Sequence, residues 1–356
     1  MTAVSEKMPG KAPSTMRVWQ YSSTKGGLEK NLHLNTSAPI PQPGPEQYLV
    51  QVLATALNPI DYKPAETALV NRLLIRKPAT PGLDFAGYLV KAPAGSTLKP
   101  GQLVYGVTGT SPMAGGALSE FAITQKNQII ALPDHLDTTS AATLGVASLT
   151  AFQTIVPHVK KGDKVFINGG SGGTGIFGIQ IAKAIGCYVA TTCSGANAEL
   201  CKSLGADEVI DYRKQNVVDA LKATGHSYDH VVDNVCHNMD LYWRCHEYTK
   251  PSAIYIFVAG ELSLPRIWET IKRKLWPGFL GGGKRQARGF FAQARPRELE
   301  QVVAWMKEGK IRTVVDQKFP FDQAPKAIER LKTQRARGKI VVEVTSEALK
   351  SAWPKE

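Results

Sequence analysis

The hydrophobic pattern changes character twice along the chain. From residue 16 to about 150, apolar and polar positions alternate in short runs bounded by Gly or Pro. This predicts strands at Met16–Tyr21, Tyr48–Leu57, Leu83–Val90, Gln102–Val107, Ala117–Ile123 and Asn127–Ala131, with a Pro-rich turn at Pro39–Pro45. Thr138–Thr154 carries an Ala/Leu face and predicts the first good helix. From Gly162 strand and helix patterns take turns. Strands are predicted at Lys164–Asn168, Tyr188–Cys193, Glu208–Ile210, Asp229–Asp233 and Ala253–Val258, with a further one at Ala287–Ala292 and helices between, including Ala198–Leu204. That alternation is the signature of a parallel, doubly wound sheet. A third pattern closes the chain. Glu298–Glu308 is an amphipathic helix with Leu299, Val302, Val303 and Met306 on one face and Pro296 at its start. Phe319 and Phe321 mark a strand, Asp322 is expected to cap a helix running through Leu331, and Lys339–Val344 reads as a last strand. No internal repeat and no long low-complexity tract occurs.

Within the second pattern, Val165–Gly186 runs from a strand through a glycine cluster into a helix. Gly170, Gly172 and Gly175 give G-x-G-x-x-G. One glycine permits a tight turn, one lets backbone approach a pyrophosphate, and one lets helix and sheet pack closely. The phosphates belong at the helix N-terminus, where N–H groups and the helix dipole favour anions. Gly170, Ser171, Gly172, Gly173, Thr174 and Gly175 are therefore the expected cofactor-binding loop; a bland glycine-rich turn is the competing account.

Composition narrows the class. The 356 residues have room for two domains or one large one, and 43% apolar content suits a protein with a proper core. No apolar run approaches the roughly 18–20 residues of a membrane span, so no stable membrane insertion is expected. The N-terminal residues lack both an apolar signal core and an Arg-rich amphipathic leader, and read as a polar tail. Five cysteines lie inside predicted core elements, which fits reduced thiols better than disulfides. A cytoplasmic location is expected, with mitochondria left open. The net charge of +13 suits an anionic cofactor as well as it suits nucleic acid. No basic stripe interleaved with aromatics stands out, so no nucleic-acid partner is expected.

Several further blocks follow one another along the chain. Asn58-Pro59-Ile60-Asp61 reads as an N-P-x-D segment, and Pro81–Gly87 as a P-G-x-D-x-x-G turn. Gly116–Phe121 reads as a G-x-x-A-E-Y-type strand, with Ser119 where Ala is usual, and Leu149–Phe152 as an L-T-A-Y/F helix. Leu204–Asp207 with Ile210–Tyr212, then Gly309–Arg312, and finally Arg337-Gly338-Lys339 complete the series. In this order the blocks resemble the medium-chain dehydrogenase/reductase superfamily in its zinc-independent, quinone-oxidoreductase-like branch. The last two, with Phe319-Pro320-Phe321, look most like reticulon-interacting oxidoreductases, alkenal/enone reductases and fungal enoyl reductases.

The resemblance implies an α/β protein: a GroES-like β-rich catalytic domain plus a Rossmann doubly wound parallel sheet. The implied division is a tail at 1–15, the GroES-like domain at 16–150 completed by about 310–345, the Rossmann domain at 151–309, and a tail at 346–356. The active site is implied to lie in the cleft between the domains. Superfamily zinc needs Cys or His near residues 58–84, where this chain offers Asn58, Asp61 and Asp84. No metal is therefore expected. Cys236-His237 and Cys245-His246 match none of the usual zinc spacings. NAD specificity usually shows as an acid about 20 residues past the glycines. Here the second strand ends in Cys193-Ser194-Gly195, and Ser194 tolerates a 2′-phosphate. Lys202 and Arg213 are near in sequence, Tyr212 matches a family tyrosine that contacts that phosphate, and Asn197 stands where the family often has lysine. The expected cofactor is NADPH. Asn58 and Thr150 match family positions near the nicotinamide, with a helix or turn cap as the competing account. Val258, Ala259 and Gly260 end a central strand and are expected to line the same pocket. Tyr62 and Lys63 are the catalytic candidates, each able to donate to a carbonyl oxygen.

The leading expectation is an NADPH-dependent reductase of activated C=C bonds or quinones, acting on a small molecule, as a monomer or homodimer. A trans-acting enoyl reductase serving a polyketide synthase and a non-catalytic NADPH-binding protein that interacts with RNA, membrane or a partner are the alternatives. Residues 264–288 add a strongly basic stretch with an apolar face, read as a surface helix, a lid or a membrane-surface helix.

Overall fold

The computed structural model describes residues 14–108, 116–258, 272, 276 and 282–344. The chain divides into two compact units. One runs up to Gly145 and takes back Gln317–Thr333 and the chain from Ile340; the other comprises Val146–Asp316 and Gln334–Lys339.

The first unit is a β structure. Its strands are β1 (Thr15–Gln20), β2 (His33–Pro39), β3 (Gln47–Leu57), β4 (Asp84–Lys91), β5 (Leu103–Val107), β6 (Phe121–Gln125) and β7 (Ile129–Ala131). Two short helices, α1 (Lys63–Glu66) and α2 (Ala68–Leu74), follow β3, and α3 (Thr138–Ala142) follows β7. The long strand β3 organises the unit, pairing antiparallel with both β4 and β6. Its burial is nearly continuous, as expected of a strand covered on both faces. Met16, Val18, Ala38, Leu49 and Phe121 close a small core beside it.

The second unit is wound from α4 (Gly145–Ile155), β8 (Lys164–Asn168), α5 (Gly173–Ile185), β9 (Tyr188–Cys193), α6 (Ala198–Ser203), β10 (Glu208–Asp211), α7 (Val217–Ala223), β11 (Tyr228–Asp233), α8 (Asp240–Trp243), β12 (Thr249–Val258), β13 (Gln286–Phe290) and α9 (Pro296–Lys307). The sheet order is β10-β9-β8-β11-β12-β13, every pair parallel. The order reverses between β8 and β11, the position where such sheets bind ligands. The central strands read as unbroken apolar runs because helices cover both faces. An aromatic cluster of Phe166, Tyr228, Tyr242, Tyr248 and Tyr255 fills one side. Returning to the first unit, β14 (Val315–Pro320), α10 (Ala324–Lys332) and β15 (Lys339–Glu343) end the described chain, and β15 pairs with β3.

Three expectations are corrected. The helix expected over Thr138–Thr154 is two, because Thr143 ends the first turn by donating its hydroxyl to the Ser140 carbonyl and Gly145 starts anew against the Asp84 carboxylate. The strand expected from Ala117 begins at Phe121; Ser119 instead turns its hydroxyl onto the Gly116 and Phe121 carbonyls. Asp322 lies inside a 3-10 turn, and Gln323 takes the position before α10.

Candidate functional site

The glycine loop sits between β8 and α5, and the space around each glycine shows its use. A Cβ on Gly170 would lie 2.1 Å from Thr191 Oγ1, and one on Gly175 would lie 2.2 Å from the Gly169 carbonyl oxygen. Those two permit the turn and the close packing of α5. A Cβ on Gly172 would meet only the Gly169 oxygen, at 3.5 Å. Gly172 therefore faces open space where a ligand's backbone contact would be made. Gly172 is the N-cap of α5, so the N–H groups of Gly173, Thr174 and Gly175 have no acceptor within the helix. Gly338 straps the loop from outside, donating its N–H to the Ser171 carbonyl at 2.9 Å. The buried Lys339 lays its stem against Gly173. At the far end of α5, Gly186 adopts φ 95°, the left-handed helix cap that glycine takes without a Cβ penalty.

The end of β9 supplies a second group of polar residues. Ser194 is half-buried beside the loop's neighbour strand, and Cys193 pairs in register with Asp211. Tyr212 follows directly and is 53% exposed. Asn197 donates its amide to Ser171 Oγ at 3.1 Å, which ties this corner to the glycine loop. Ser194, Asn197, Tyr212 and Ser171 thus converge at one end of the sheet. Of the basic candidates, Lys202 is paired with Glu199 at 3.1 Å. Arg213 is exposed; its backbone N–H donates to Asp211 Oδ1 at 3.0 Å, and its guanidinium meets no carboxylate among the described residues.

Beneath the loop runs a polar chain that the sequence reading missed. The Gly169 N–H donates to Thr192 Oγ1 (2.8 Å), and Thr192 Oγ1 donates to Asn168 Oδ1 (2.6 Å). Asn168 Nδ2 donates in turn to Asp233 Oδ1 (2.7 Å), whose other oxygen accepts from Tyr255 (2.9 Å). Burial pushes the Tyr255 phenol well above its usual range, so it remains a donor. Next to this chain, Asn234 buries both amide atoms without a protein partner among the described residues, beside Gly169. Unpaired buried amide groups are costly, and a polar ligand at the strand ends would satisfy them. The open Gly172, the free helix N-terminus and Asn234 together fit a dinucleotide.

In the first unit, Asn58, Asp61 and Asp84 form a buried clamp. Asn58 Nδ2 donates to Asp84 Oδ2 at 2.9 Å, and the Asn58 N–H donates to Asp61 Oδ2 at 2.7 Å. Thr55 Oγ1 holds the Asp84 carbonyl at 2.7 Å. Tyr62 is buried directly after the clamp, with the Lys332 ammonium 5.9 Å from its ring, and Lys63 is half-buried as the first residue of α1. Thr150 is buried within α4 and donates its hydroxyl to the Val146 carbonyl at 2.7 Å, leaving it only acceptor capacity. Val258 ends β12, and its carbonyl accepts the Cys236 thiol at 3.2 Å. Ala259 and Gly260 lie outside the described residues, as do residues 1–13, 346–356 and most of 264–288. Among the described residues no three His, Cys, Asp or Glu side chains cluster to hold a metal, and no helix is long and apolar enough to cross a membrane.

Comparison with known proteins agrees with this architecture. Residues 44–134 match the alcohol dehydrogenase GroES-like domain, and residues 204–342 match a family described as zinc-binding dehydrogenase. The trans-enoyl reductase pgmF of Aspergillus terreus is 44% identical over 352 residues, 95% of this chain and 98% of that protein. A chloroplast envelope quinone oxidoreductase homolog of Arabidopsis thaliana is 31% identical, over 93% of this chain and 99% of its own length. The solved quinone oxidoreductase of Coxiella burnetii superposes with a TM-score of 0.80 at 30% identity, covering 93% of this chain and 99% of that one. The chain is an oxidoreductase and belongs to the medium-chain dehydrogenase/reductase superfamily, in the branch that holds quinone oxidoreductase-like proteins and fungal trans-enoyl reductases.

Proposed function

We propose that the chain is an NADPH-dependent, zinc-independent enoyl reductase that acts in trans on an α,β-unsaturated thioester carried by a partner synthase. The observation that carries this reading is 44% identity along nearly the whole chain to a protein named a trans-enoyl reductase. In this reading Gly170 to Gly175 hold the pyrophosphate, and Ser194, Asn197, Tyr212 and Arg213 receive the 2′-phosphate. Asn234 and Val258 border the nicotinamide. When bound, the reduced nicotinamide supplies the hydride. The chain's own task is to orient the enoyl group so that its β-carbon receives that hydride while the α-carbon takes a proton. Between arrival of the hydride and protonation of the α-carbon, negative charge gathers on the thioester carbonyl oxygen, and one preorganised donor there is worth roughly 3 kcal/mol. Tyr62 and Lys63 are the proposed donors. Asn58, Asp61 and Asp84 fix the backbone that presents them.

Relatives named quinone oxidoreductase homologs, 30–31% identical, support reduction of small enones or quinones as a second reading. NADPH oxidation against a panel of enoyl thioesters, enones and quinones decides between them. The thioesters are expected to give the highest kcat/KM. A chain that reduces quinones well and enoyl thioesters poorly overturns the first reading. In the same assay Ser194→Asp should reverse a preference for NADPH over NADH, because a carboxylate repels the 2′-phosphate and accepts from the 2′-hydroxyl. Tyr62→Phe or Lys63→Ala is expected to lower kcat at least tenfold with NADPH binding nearly unchanged. Full kcat in both variants would place the donor elsewhere.

A further inference from the structure

Helix α2 is built against the usual rule for a short surface helix. Its sequence, ALVNRLL, turns only Val70 inward. Leu69, Leu73 and Leu74 are 69%, 66% and 61% exposed. Three of the seven large apolar side chains exposed among the described residues therefore sit on one seven-residue helix. Scattered single leucines at a surface need no explanation, but a contiguous group rimmed by polar residues marks an interaction site.

The rim is cationic. Between Thr67 and Leu83 the sequence contains Arg72, Arg76 and Lys77 and no Asp or Glu. Behind the leucine ridge lies a concavity of about 520 Å³, with Lys25, Arg72 and Lys77 in its wall. None of Lys25, Arg72, Arg76 and Lys77 pairs with a carboxylate among the described residues. The one acid in the wall, Glu66, is already paired with Lys332 at 2.7 Å. Lys77 holds its ammonium 3.7 Å from the centroid of the Tyr21 ring, buried and with no hydrogen-bond acceptor among the described residues. Asn71 adds a buried amide oxygen that has no donor among the described residues. The surface thus offers apolar contact area, uncompensated positive charge and an unmet hydrogen-bond acceptor within one helix and its flanking turn.

We propose that this face docks the acidic carrier domain that delivers the thioester substrate. The leucine ridge takes an apolar strip on the carrier, and acidic side chains meet Lys25, Arg72 and Arg76. The inference rests on the trans-enoyl-reductase reading, which requires a protein surface to be recognised along with the enoyl group. Charge complementarity selects an acidic partner over a neutral or basic one, and steers its encounter. A ridge beside a concavity suits a folded domain better than the flat plane of a membrane.

The test uses a crotonyl group on a stand-alone acidic acyl carrier protein, compared with the same group on free pantetheine. The intact protein is expected to show at least tenfold higher kcat/KM for the carrier-bound form, with the advantage shrinking as salt rises. Leu69→Ser/Leu73→Ser and, separately, Arg72→Glu/Arg76→Glu should each remove most of that advantage and leave turnover of crotonyl-pantetheine unchanged. Fluorescence anisotropy of a labelled crotonyl carrier measures docking without turnover. If neither thioester is reduced yet both variants lose carrier binding, the docking surface stands and the enoyl-reductase reading fails. The surface is refuted by wild-type protein that does not bind the carrier, or by variants that bind and turn it over normally. Loss of crotonyl-pantetheine turnover in both variants would make the leucines part of the substrate site instead. Variants that lose only their affinity for phosphatidylserine vesicles, or that change from dimer to monomer on gel filtration, would assign the face to a membrane or a second copy and overturn the proposal.

Discussion

Gly172 and Gly175 belong to one motif and fail in different ways when altered. A methyl on Gly175 would collide with the backbone carbonyl of Gly169, which no side-chain adjustment relieves. Gly175→Ala is expected to cost roughly 1–3 kcal/mol of stability in urea unfolding. Gly172 has an ordinary φ of −79° and no close neighbour. Gly172→Ala should leave stability within about 0.5 kcal/mol and still weaken NADPH binding at least tenfold, read by fluorescence titration. Equal destabilisation by both substitutions would make Gly172 a packing position like Gly175 and not one reserved for a ligand. At this scale the sequence is highly legible, because a glycine's steric demand is written in its identity. Asn197 is the contrary case. The reading from sequence treated it as a departure from lysine, and only the turn after Ser194 brings its amide onto Ser171. Asn234 was equally hidden, since an unpaired amide shows itself only when its surroundings are built.

The alternating pattern of strand and helix is what made the parallel sheet legible, since each strand buried on both faces reads as an apolar run. Elements held by other means were missed. Strand β2 is mostly exposed and carries no alternation. Helices α1 and α2 are short and lack an inward stripe. Contacts between elements were also invisible, and the docking of α4 on β11 shows why. His230, near the middle of β11, places Nε2 2.6 Å from the Thr154 carbonyl of α4, so Nε2 carries the proton and donates. Nδ1 is buried without a partner among the described residues, and the ring stacks on His158 with centroids 5.2 Å apart. Burial, the largest cause, pushes the His230 pKa down from 6.5 to about 4, against the opposing pull of the Thr154 hydrogen bond. Burial and the charge of Arg288 lower His158 as well. Below pH 6.5 the unfolded chain therefore takes up a proton that the folded chain refuses. The His230 contribution is constant above that value, falls as pH drops towards 4, and levels off below it. Between pH 7 and pH 5 the loss is roughly 2 kcal/mol. Urea unfolding at the two pH values should show it, and His230→Gln, which keeps a donor for Thr154 and cannot titrate, should shrink it. An unchanged pH slope in that variant would assign the effect to other groups.

For the molecule as a whole, the net charge of +13 was readable, but its distribution was not. Most lysines and arginines are solvated or paired, as Lys183 is with Asp207 and Arg244 with Glu247. Among the cations whose side chains meet no carboxylate among the described residues are Arg213, at the proposed phosphate corner, and Lys25, Arg72 and Arg76 around α2. Metal content is the other property of the whole chain that divides this superfamily, and the match to a family described as zinc-binding dehydrogenase makes it a fair test. The resemblance implies Cys or His ligands for catalytic zinc near residues 58–84, where this chain offers Asn58, Asp61 and Asp84. These are hard oxygen donors and an amide, without the Cys or His that zinc prefers. They are also spent on one another. Asn58 binds Asp84 through its side chain and Asp61 through its backbone, which fixes both carboxylates within the clamp. Of the remaining thiols near a histidine, Cys236 is buried and donates to the Asp233 and Val258 carbonyls. Cys245 is buried too, and burial raises its pKa to about 12, which keeps it a protonated thiol and a poor ligand. Reduction is therefore expected to proceed at full rate after prolonged treatment with a strong chelator. Elemental analysis of the purified chain should find well under one zinc per molecule. Replacing Asp84 with Asn is expected to cost stability by loosening the clamp, with no change in metal content. One tightly held zinc per chain, whose removal abolishes turnover and whose return restores it, would overturn the zinc-independent reading and move the polarising charge from Tyr62 and Lys63 to the metal.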